Sequence, residues 1–128
     1  MQDHPPAHAL LEQLAAWLAT ELRGKVPREE RFGVLVAANV AAIVAREIGP
    51  DAPSPEAERE RMARLLELAG EEAGDGSPRD ALARAAAAIR AGRLDDHWAE
   101  AVGALRESVR DKLAVAHPGY SEFEDSWP

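Results

Sequence analysis

Apolar side chains in this chain recur at steps of three and four residues, and glycine or proline interrupts the pattern. The first such stretch runs from Leu10 to Leu22 and precedes Gly24, and a second runs from Phe32 to Ile48 and precedes Gly49-Pro50. This spacing places the apolar side chains on one side of an α-helix. Glycine and proline are typical of helix ends. The pattern therefore predicts a series of amphipathic helices separated by short turns.

Start signals predict three further helices. A serine N-cap with proline in the first turn occurs at Ser54-Pro55 and again at Ser77-Pro78. Asp95 or Asp96 is placed to cap a last helix. The predicted helices run from Pro6 to Gly24, from near Pro27 to about Ile48, from Ser54 to Gly70, from Ser77 to Gly92, and from Asp95 to His117.

The composition supports an all-α fold. Alanine, leucine, glutamate and arginine, which are strong helix formers, are abundant in the 128 residues. Short connections between amphipathic helices predict a compact up-and-down bundle of about five helices. We expect one domain over residues 1–128, in which residues 118–128 form an aromatic, acidic C-terminal tail.

The second predicted helix is apolar on most sides, because alanines fill the positions between its larger apolar residues. A helix of this kind usually lies at the centre of its domain. A buried strand over Gly33–Val44 is the rival interpretation, and its length and alanine content disfavour it. We also expect Trp17 and Trp98 to lie in the core, since both fall on predicted inner faces.

Asn39 is a polar residue in the middle of the predicted central helix. A buried amide needs hydrogen-bond partners, since leaving it unpaired costs on the order of 1–3 kcal/mol. Asn39 is expected either to form a structural hydrogen bond or to contact a ligand inside the bundle. The structural role is favoured, because single polar core residues commonly fix helix register.

Charge and cysteine content exclude several classes of function. The net charge is −8, with 23 acidic and 15 basic residues, which opposes binding to nucleic acid or to an anionic membrane. The chain has no cysteine, so thiolate metal sites and cysteine nucleophiles are excluded. No apolar run reaches the ~18 residues that span a bilayer. The N-terminus lacks a secretory signal pattern, and we expect a cytoplasmic protein.

One compact basic cluster surrounds the predicted turn between the first two helices. It consists of Arg23, Lys25, Arg28 and Arg31. Such a cluster can bind a phosphate, a nucleotide-bearing cofactor or an acidic partner. An ordinary solvated surface paired with neighbouring glutamates is the favoured alternative.

No catalytic or metal-binding motif is recognisable. Asp95, Asp96, His97 and Glu100 form the densest metal-like group, but an acidic helix start explains them better. The histidines have no serine and carboxylate at the spacing of a catalytic triad, and His117 is expected to cap a helix end. We therefore assign no catalytic residue, cofactor or metal, and expect the protein not to be an enzyme.

The aromatic residues of the C-terminal tail are candidates for contacts. Tyr120 is expected to fold back on the bundle, and Trp127 is the better candidate for a protein interface, because tryptophan is enriched at interaction hot spots. Homodimerisation through alanine-rich helix surfaces is a further expectation, although the same surfaces are typical of packing within one chain.

Five short motifs are distributed along the chain. They are Ala37-Ala38-Asn39-Val40, Ile43-Val44 with Glu47, Ile89-Arg90-Ala91-Gly92, Lys112-Leu113-Ala114-Val115 and Pro118-Gly119-Tyr120. Together they resemble a small uncharacterised family of bacterial helical proteins, a domain of unknown function. The resemblance covers most of the chain and supplies no catalytic residues. It implies an all-helical accessory protein that accompanies kinases similar to aminoglycoside phosphotransferases, or acyl-CoA dehydrogenases, in acyl-CoA metabolism.

Two hypotheses of function follow. The leading one is a non-enzymatic accessory or interaction protein that assists a kinase-like or acyl-CoA-handling partner. The alternative is a small-molecule-binding helical bundle that uses Asn39 or the Arg23–Arg31 basic cluster.

Overall fold

The computed structural model describes residues 4–120, and every regular element in this range is a helix. The predicted all-α class is confirmed. Contacts along the chain divide it into two compact units, Met1–Ala52 and Pro53–Pro128, here called unit 1 and unit 2. Each unit is described by itself, and the expectation of a single domain stays a prediction.

Unit 1 is a helical hairpin. Its elements are α1 Ala7–Trp17, the π-helical turn Leu18–Leu22, α2 Arg23–Lys25, the 3₁₀ turn Arg28–Glu30 and α3 Arg31–Ile48. Helix α1 continues through the π-helical turn into α2, and the 3₁₀ turn leads into α3, which packs along α1. The two predicted N-terminal helices are thus confirmed, except that Gly24 lies inside the last helical turn and does not end it.

Small residues fill the line of contact between α1 and α3. The buried apolar residues in the described part of unit 1 are all alanines, and they form what we call the alanine seam. Alanine brings two helix backbones close together, and bulkier side chains are then directed to the flanks. The alanine seam consists of Ala15, Ala38, Ala41 and Ala45.

Two expectations about unit 1 are wrong. Helix α3 packs against one long helix within its unit, so it is not surrounded, and Phe32 and Val40 are 75% and 54% exposed. Trp17 is not a core residue either, since it is 47% exposed. The apolar periodicity correctly predicted the helices, but the residues buried most completely are alanines and not the larger side chains.

Unit 2 contains three longer helices and a conventional core. Helix α4 packs against both α5 and α6. Met62, Leu65 and Leu66 recur at the three- and four-residue spacing of one helix side, and all three are almost fully buried. Leu94 joins them from the connection before α6. The elements are α4 Pro55–Leu68, α5 Pro78–Arg90, the 3₁₀ turn Asp95–His97 and α6 Trp98–Ala116.

The ends of α4 and α5 follow the predicted signals. The Ser54 hydroxyl accepts a hydrogen bond from the Ala57 backbone N–H at 3.3 Å. Ser77 and Asp80 form a reciprocal capping box at the start of α5. Both helices end at a glycine in the left-handed region, Gly70 with φ 79° and Gly92 with φ 76°, a conformation that favours glycine.

The start of α6 differs from the prediction. The N-cap position is occupied by His97 without a side-chain hydrogen bond, because a 3₁₀ turn precedes the helix and moves Asp95 and Asp96 away from the cap. Trp98, expected in the core, is 60% exposed. Among residues 4–120, no helix has both the length and the hydropathy needed to cross a membrane.

Candidate functional site

The hairpin of unit 1 carries two rows of exposed apolar side chains. One row on α1 follows steps of four and three residues, and one row on α3 follows steps of four. At about 100° per residue, both rows lie on the same rotational side of the alanine seam. The short connection makes α1 and α3 antiparallel, which places both rows on one side of the hairpin. This surface, the hairpin face, consists of Leu10, Leu14, Trp17, Val40, Val44 and Ile48.

The hairpin face is large for a protein surface. Its six side chains are each between 36% and 54% exposed. Together they present on the order of 500 Å² of apolar surface, at the upper end of what monomeric proteins usually leave uncovered. Phe32, Leu35 and Val36 extend the exposed apolar surface along α3. An apolar surface of this extent is typical of a protein interaction site.

Two of the four residues of the predicted basic cluster line one cavity. Arg23 and Arg31 line one open cavity of about 270 Å³, together with Ala19, Thr20 and Gly24. Lys25 lies outside this lining, and its Nζ is 3.6 Å from Oε2 of Glu21. Arg28 is exposed and does not line the cavity. We call this space the Arg23–Arg31 cavity.

Asn39 is exposed on α3, so the expectation of a buried amide in the core is wrong. Its helix has no second long helix on that side within unit 1. The side chain therefore reaches solvent and needs no protein partner. Whether Asn39 contacts a ligand or partner stays a prediction.

The least expected polar feature is a buried arginine in unit 2. Arg61 is 7% exposed and connects α4 to α6. It donates hydrogen bonds to Glu58 at 3.0 and 3.2 Å and a further one to Asp111. Ser108, 3% exposed, donates to the same Glu58 carboxylate at 2.6 Å. These contacts fix the register of α4 against α6.

Electrostatics favour the ionised form of this group. Burial alone would raise the pKa of Glu58, but the hydrogen bonds from Ser108 and Arg61 and the charge of Lys112 outweigh it. The pKa of Glu58 is therefore lowered. For Arg61, burial opposes the charge, and the contacts with Asp111 and Glu58 raise its pKa nonetheless. Both shifts favour the ordinary charged forms of Glu58 and Arg61, so the group has a structural role in joining α4 to α6.

A signal for this ion-pair group was present in the sequence. Positions 58 and 61 continue the buried stripe of Met62 and Leu65 toward the start of α4. Position 108 likewise continues the buried position of Ala101 along α6. Polar residues in the apolar stripes of both helices, Glu58 and Arg61 on α4 and Ser108 on α6, indicated contact between the two helices. None of these residues was singled out from the sequence, and the group was missed.

The remaining predicted residues are placed as follows. The rings of His117 and Tyr120 meet edge to face with centroids 5.8 Å apart, and His117 occupies the C-cap of α6 as expected. Tyr120 is 53% exposed.

His97 Nδ1 is 3.6 Å from Oε1 of Glu100, and within residues 4–120 no set of three potential ligands is placed to hold a metal ion. Trp127 lies outside the described residues.

Comparison with known proteins gives one family. No curated protein and no solved structure matches the chain. The family model described as Domain of unknown function (DUF6285) matches residues 24–120, which is more than half of the chain. The match begins within α2 and includes α3 and all the described helices of unit 2. The resemblance to an uncharacterised family is thereby confirmed, and the chain belongs to the DUF6285 family of domains of unknown function.

Proposed function

We propose that this protein is a non-enzymatic accessory protein that binds another protein through the hairpin face. The observation that carries this proposal is that nine large apolar side chains of α1 and α3 are exposed, while the buried apolar residues in the described part of unit 1 are alanines. The six side chains of the hairpin face present on the order of 500 Å² of apolar surface, which is more than half of the roughly 800 Å² that one partner contributes to a standard interface.

The chemistry of the hairpin face defines the kind of partner. Five of its six residues are aliphatic and Trp17 is the sixth, so the face has no charged member. Its partner presents an apolar surface of similar size, and Trp17 is the best placed anchor, because tryptophan often dominates binding energy. The family resemblance suggests a phosphotransferase-like kinase or an acyl-CoA dehydrogenase as this partner, with the complex acting in the cytoplasm.

The test uses two matched valines. Val40 is 54% exposed on the hairpin face, and Val109 is 49% exposed on α6. The tagged full chain is used to capture partners from its native host, and the purified candidate kinase or dehydrogenase is then titrated in a calorimeter. Val40→Gln should weaken binding at least about tenfold, since a polar amide would be desolvated in an apolar interface.

Val109→Gln is the control and should leave the affinity unchanged. Circular dichroism verifies that both variants stay helical. An equal loss of affinity for the partner in both variants, or no loss in either, would show that the hairpin face does not bind the partner. Native mass spectrometry showing only a dimer of this chain, dissociated by Val40→Gln, would assign the hairpin face to a second copy and overturn the accessory role.

A second candidate function is the binding of a small anionic molecule. The observation that favours it is the cavity that two arginines line at one end of the hairpin. Asn39 gives this candidate no support, because its side chain does not lie within a bundle core.

A further inference from the structure

Arg23 and Arg31 line the same open cavity. Within residues 4–120, no ion pair joins either guanidinium group to a carboxylate, whereas the neighbouring Lys25 pairs with Glu21. Two guanidinium groups that line one cavity repel each other, and an anion between them would offset that repulsion.

The π-helical turn explains how the two arginines meet. The π-helical turn Leu18–Leu22 takes about one residue more than an α-helical turn, so the chain after it is rotated back by roughly 100°. Without this rotation, Arg23 would lie well to the side of the α1–α3 contact. With it, Arg23 lines the same cavity as Arg31 at the start of α3. π-helical turns inside α-helices are frequent at functional sites.

The other lining groups limit the chemistry of the cavity. The Thr20 hydroxyl donates to the Ala16 carbonyl oxygen at 2.7 Å, so its proton is already engaged. The guanidinium N–H groups are thus the main side-chain donors facing the cavity. Ala19 and Gly24 add no bulk, and Gly24 would accept a Cβ without contact within 4 Å. The volume of about 270 Å³ is below that of a site for a large cofactor.

We propose that the Arg23–Arg31 cavity binds the phosphate group of a small phosphorylated molecule. A phosphate dianion balances both guanidinium charges and offers enough oxygen acceptors for two bidentate arginine contacts, whereas a carboxylate balances only one charge. This proposal rests on the second candidate function above and names the ligand class of that cavity, and it does not depend on the hairpin face. The phosphate could be free or carried by an ester, and the ligands of the experiment distinguish these two sources.

The test is a titration of the full-length, ¹⁵N-labelled chain at pH 7.5, followed by NMR. Inorganic phosphate, phenyl phosphate and benzoate are the three probes. We expect saturable shifts of the Thr20, Gly24 and Arg31 backbone amides with the two phosphates, and at least tenfold weaker binding of benzoate. Tighter binding of phenyl phosphate than of inorganic phosphate assigns an ester as the ligand, and equal affinity assigns free phosphate.

Charge-matched variants separate a site from general attraction. Arg23→Gln and Arg31→Gln should each weaken phosphate binding about tenfold or more, because each removes charge-assisted hydrogen bonds. Lys25→Gln removes the same charge next to the cavity and should change affinity less than about twofold, since an exposed charge outside the site is largely screened. Equal losses in all three variants, or shifts that never saturate, would overturn the proposal.

Discussion

The two units use the same kind of apolar periodicity and bury different residues. In unit 2 the fully buried side chains include Met62, Leu65 and Leu66, whereas in unit 1 the buried apolar residues among those described are alanines. Burying a large aliphatic side chain stabilises a fold by roughly 1.5–3 kcal/mol, and a methyl group contributes far less. Unit 2 therefore has a core of large side chains, while unit 1 leaves nine large apolar side chains exposed.

The polar contacts differ in the same way. The Lys25–Glu21 pair of unit 1 is exposed, and pairs of this kind contribute little to stability. In unit 2, Arg61 is buried and contacts carboxylates on α4 and α6. Unit 2 is thus held together by buried apolar and polar contacts, whereas unit 1 leaves large apolar side chains exposed.

The largest expected effect on stability is the difference between truncating a buried leucine of unit 2 and truncating an exposed leucine of unit 1. Leu66 is 0% exposed and Leu14 is 46% exposed. Leu66→Ala should lower the free energy of unfolding by about 2–5 kcal/mol, because it leaves a cavity in a packed core. Leu14→Ala should lower it by less than about 1 kcal/mol, because much of that side chain already contacts solvent. Urea denaturation followed by circular dichroism measures both.

A comparable loss for Leu14→Ala would contradict the comparison. It would mean that the hairpin face is covered within the free chain and is unavailable to a partner.

A smaller effect is expected at the buried ion-pair group. Arg61→Met removes the cation and leaves Glu58 and Asp111 close together without it. We expect the free energy of unfolding to fall by about 2 kcal/mol. The decrease would be larger if the two carboxylates were fully buried, but they are 24% and 37% exposed. Arg64→Met, one turn further along α4 at an exposed position, is the control and should have almost no effect. Thermal unfolding of both variants measures the difference, and equal midpoints would show that Arg61 does not hold α4 to α6.

The smallest effect is a dependence on pH. The pKa of Glu58 is lowered in the folded chain, so its contribution to stability is fully present above about pH 4.5 and is lost as the pH falls through the lower folded value. The loss should be smaller than that caused by Arg61→Met, because Asp111 still pairs with Arg61. Urea unfolding between pH 6 and pH 3 should show a shallower acid dependence for Glu58→Gln than for the wild type. Parallel pH profiles for the two proteins would remove Glu58 from the acid response.

Local rules predicted the helices and their ends well. The caps at Ser54 and Ser77 and the stop at Gly92 depend on hydrogen bonds and backbone angles within a few residues, so the sequence contains all the necessary information. The burial of Leu66 also followed from periodicity. The cap at Asp95 or Asp96 was wrong because a 3₁₀ turn, which no spacing rule indicated, shifts the start of α6.

The candidate sites were less predictable. The basic cluster was recognised as four residues, but only Arg23 and Arg31 share the cavity, because the π-helical turn changes the direction in which Arg23 lies. The hairpin face was mistaken for a core surface, since an apolar stripe looks the same whether a helix of its own chain covers it or a partner does.

By itself, the sequence determined the helical class, the positions of the turns and the exclusion of thiol chemistry, because these depend on composition and on contacts between near neighbours. The tertiary structure decided which side of each helix is buried. The buried apolar residues in the described part of unit 1 are alanines, and Arg61 lies among the buried residues of unit 2. The physical reason is that burial depends on how closely two helix backbones approach, and this distance is set by contacts between residues far apart in the chain.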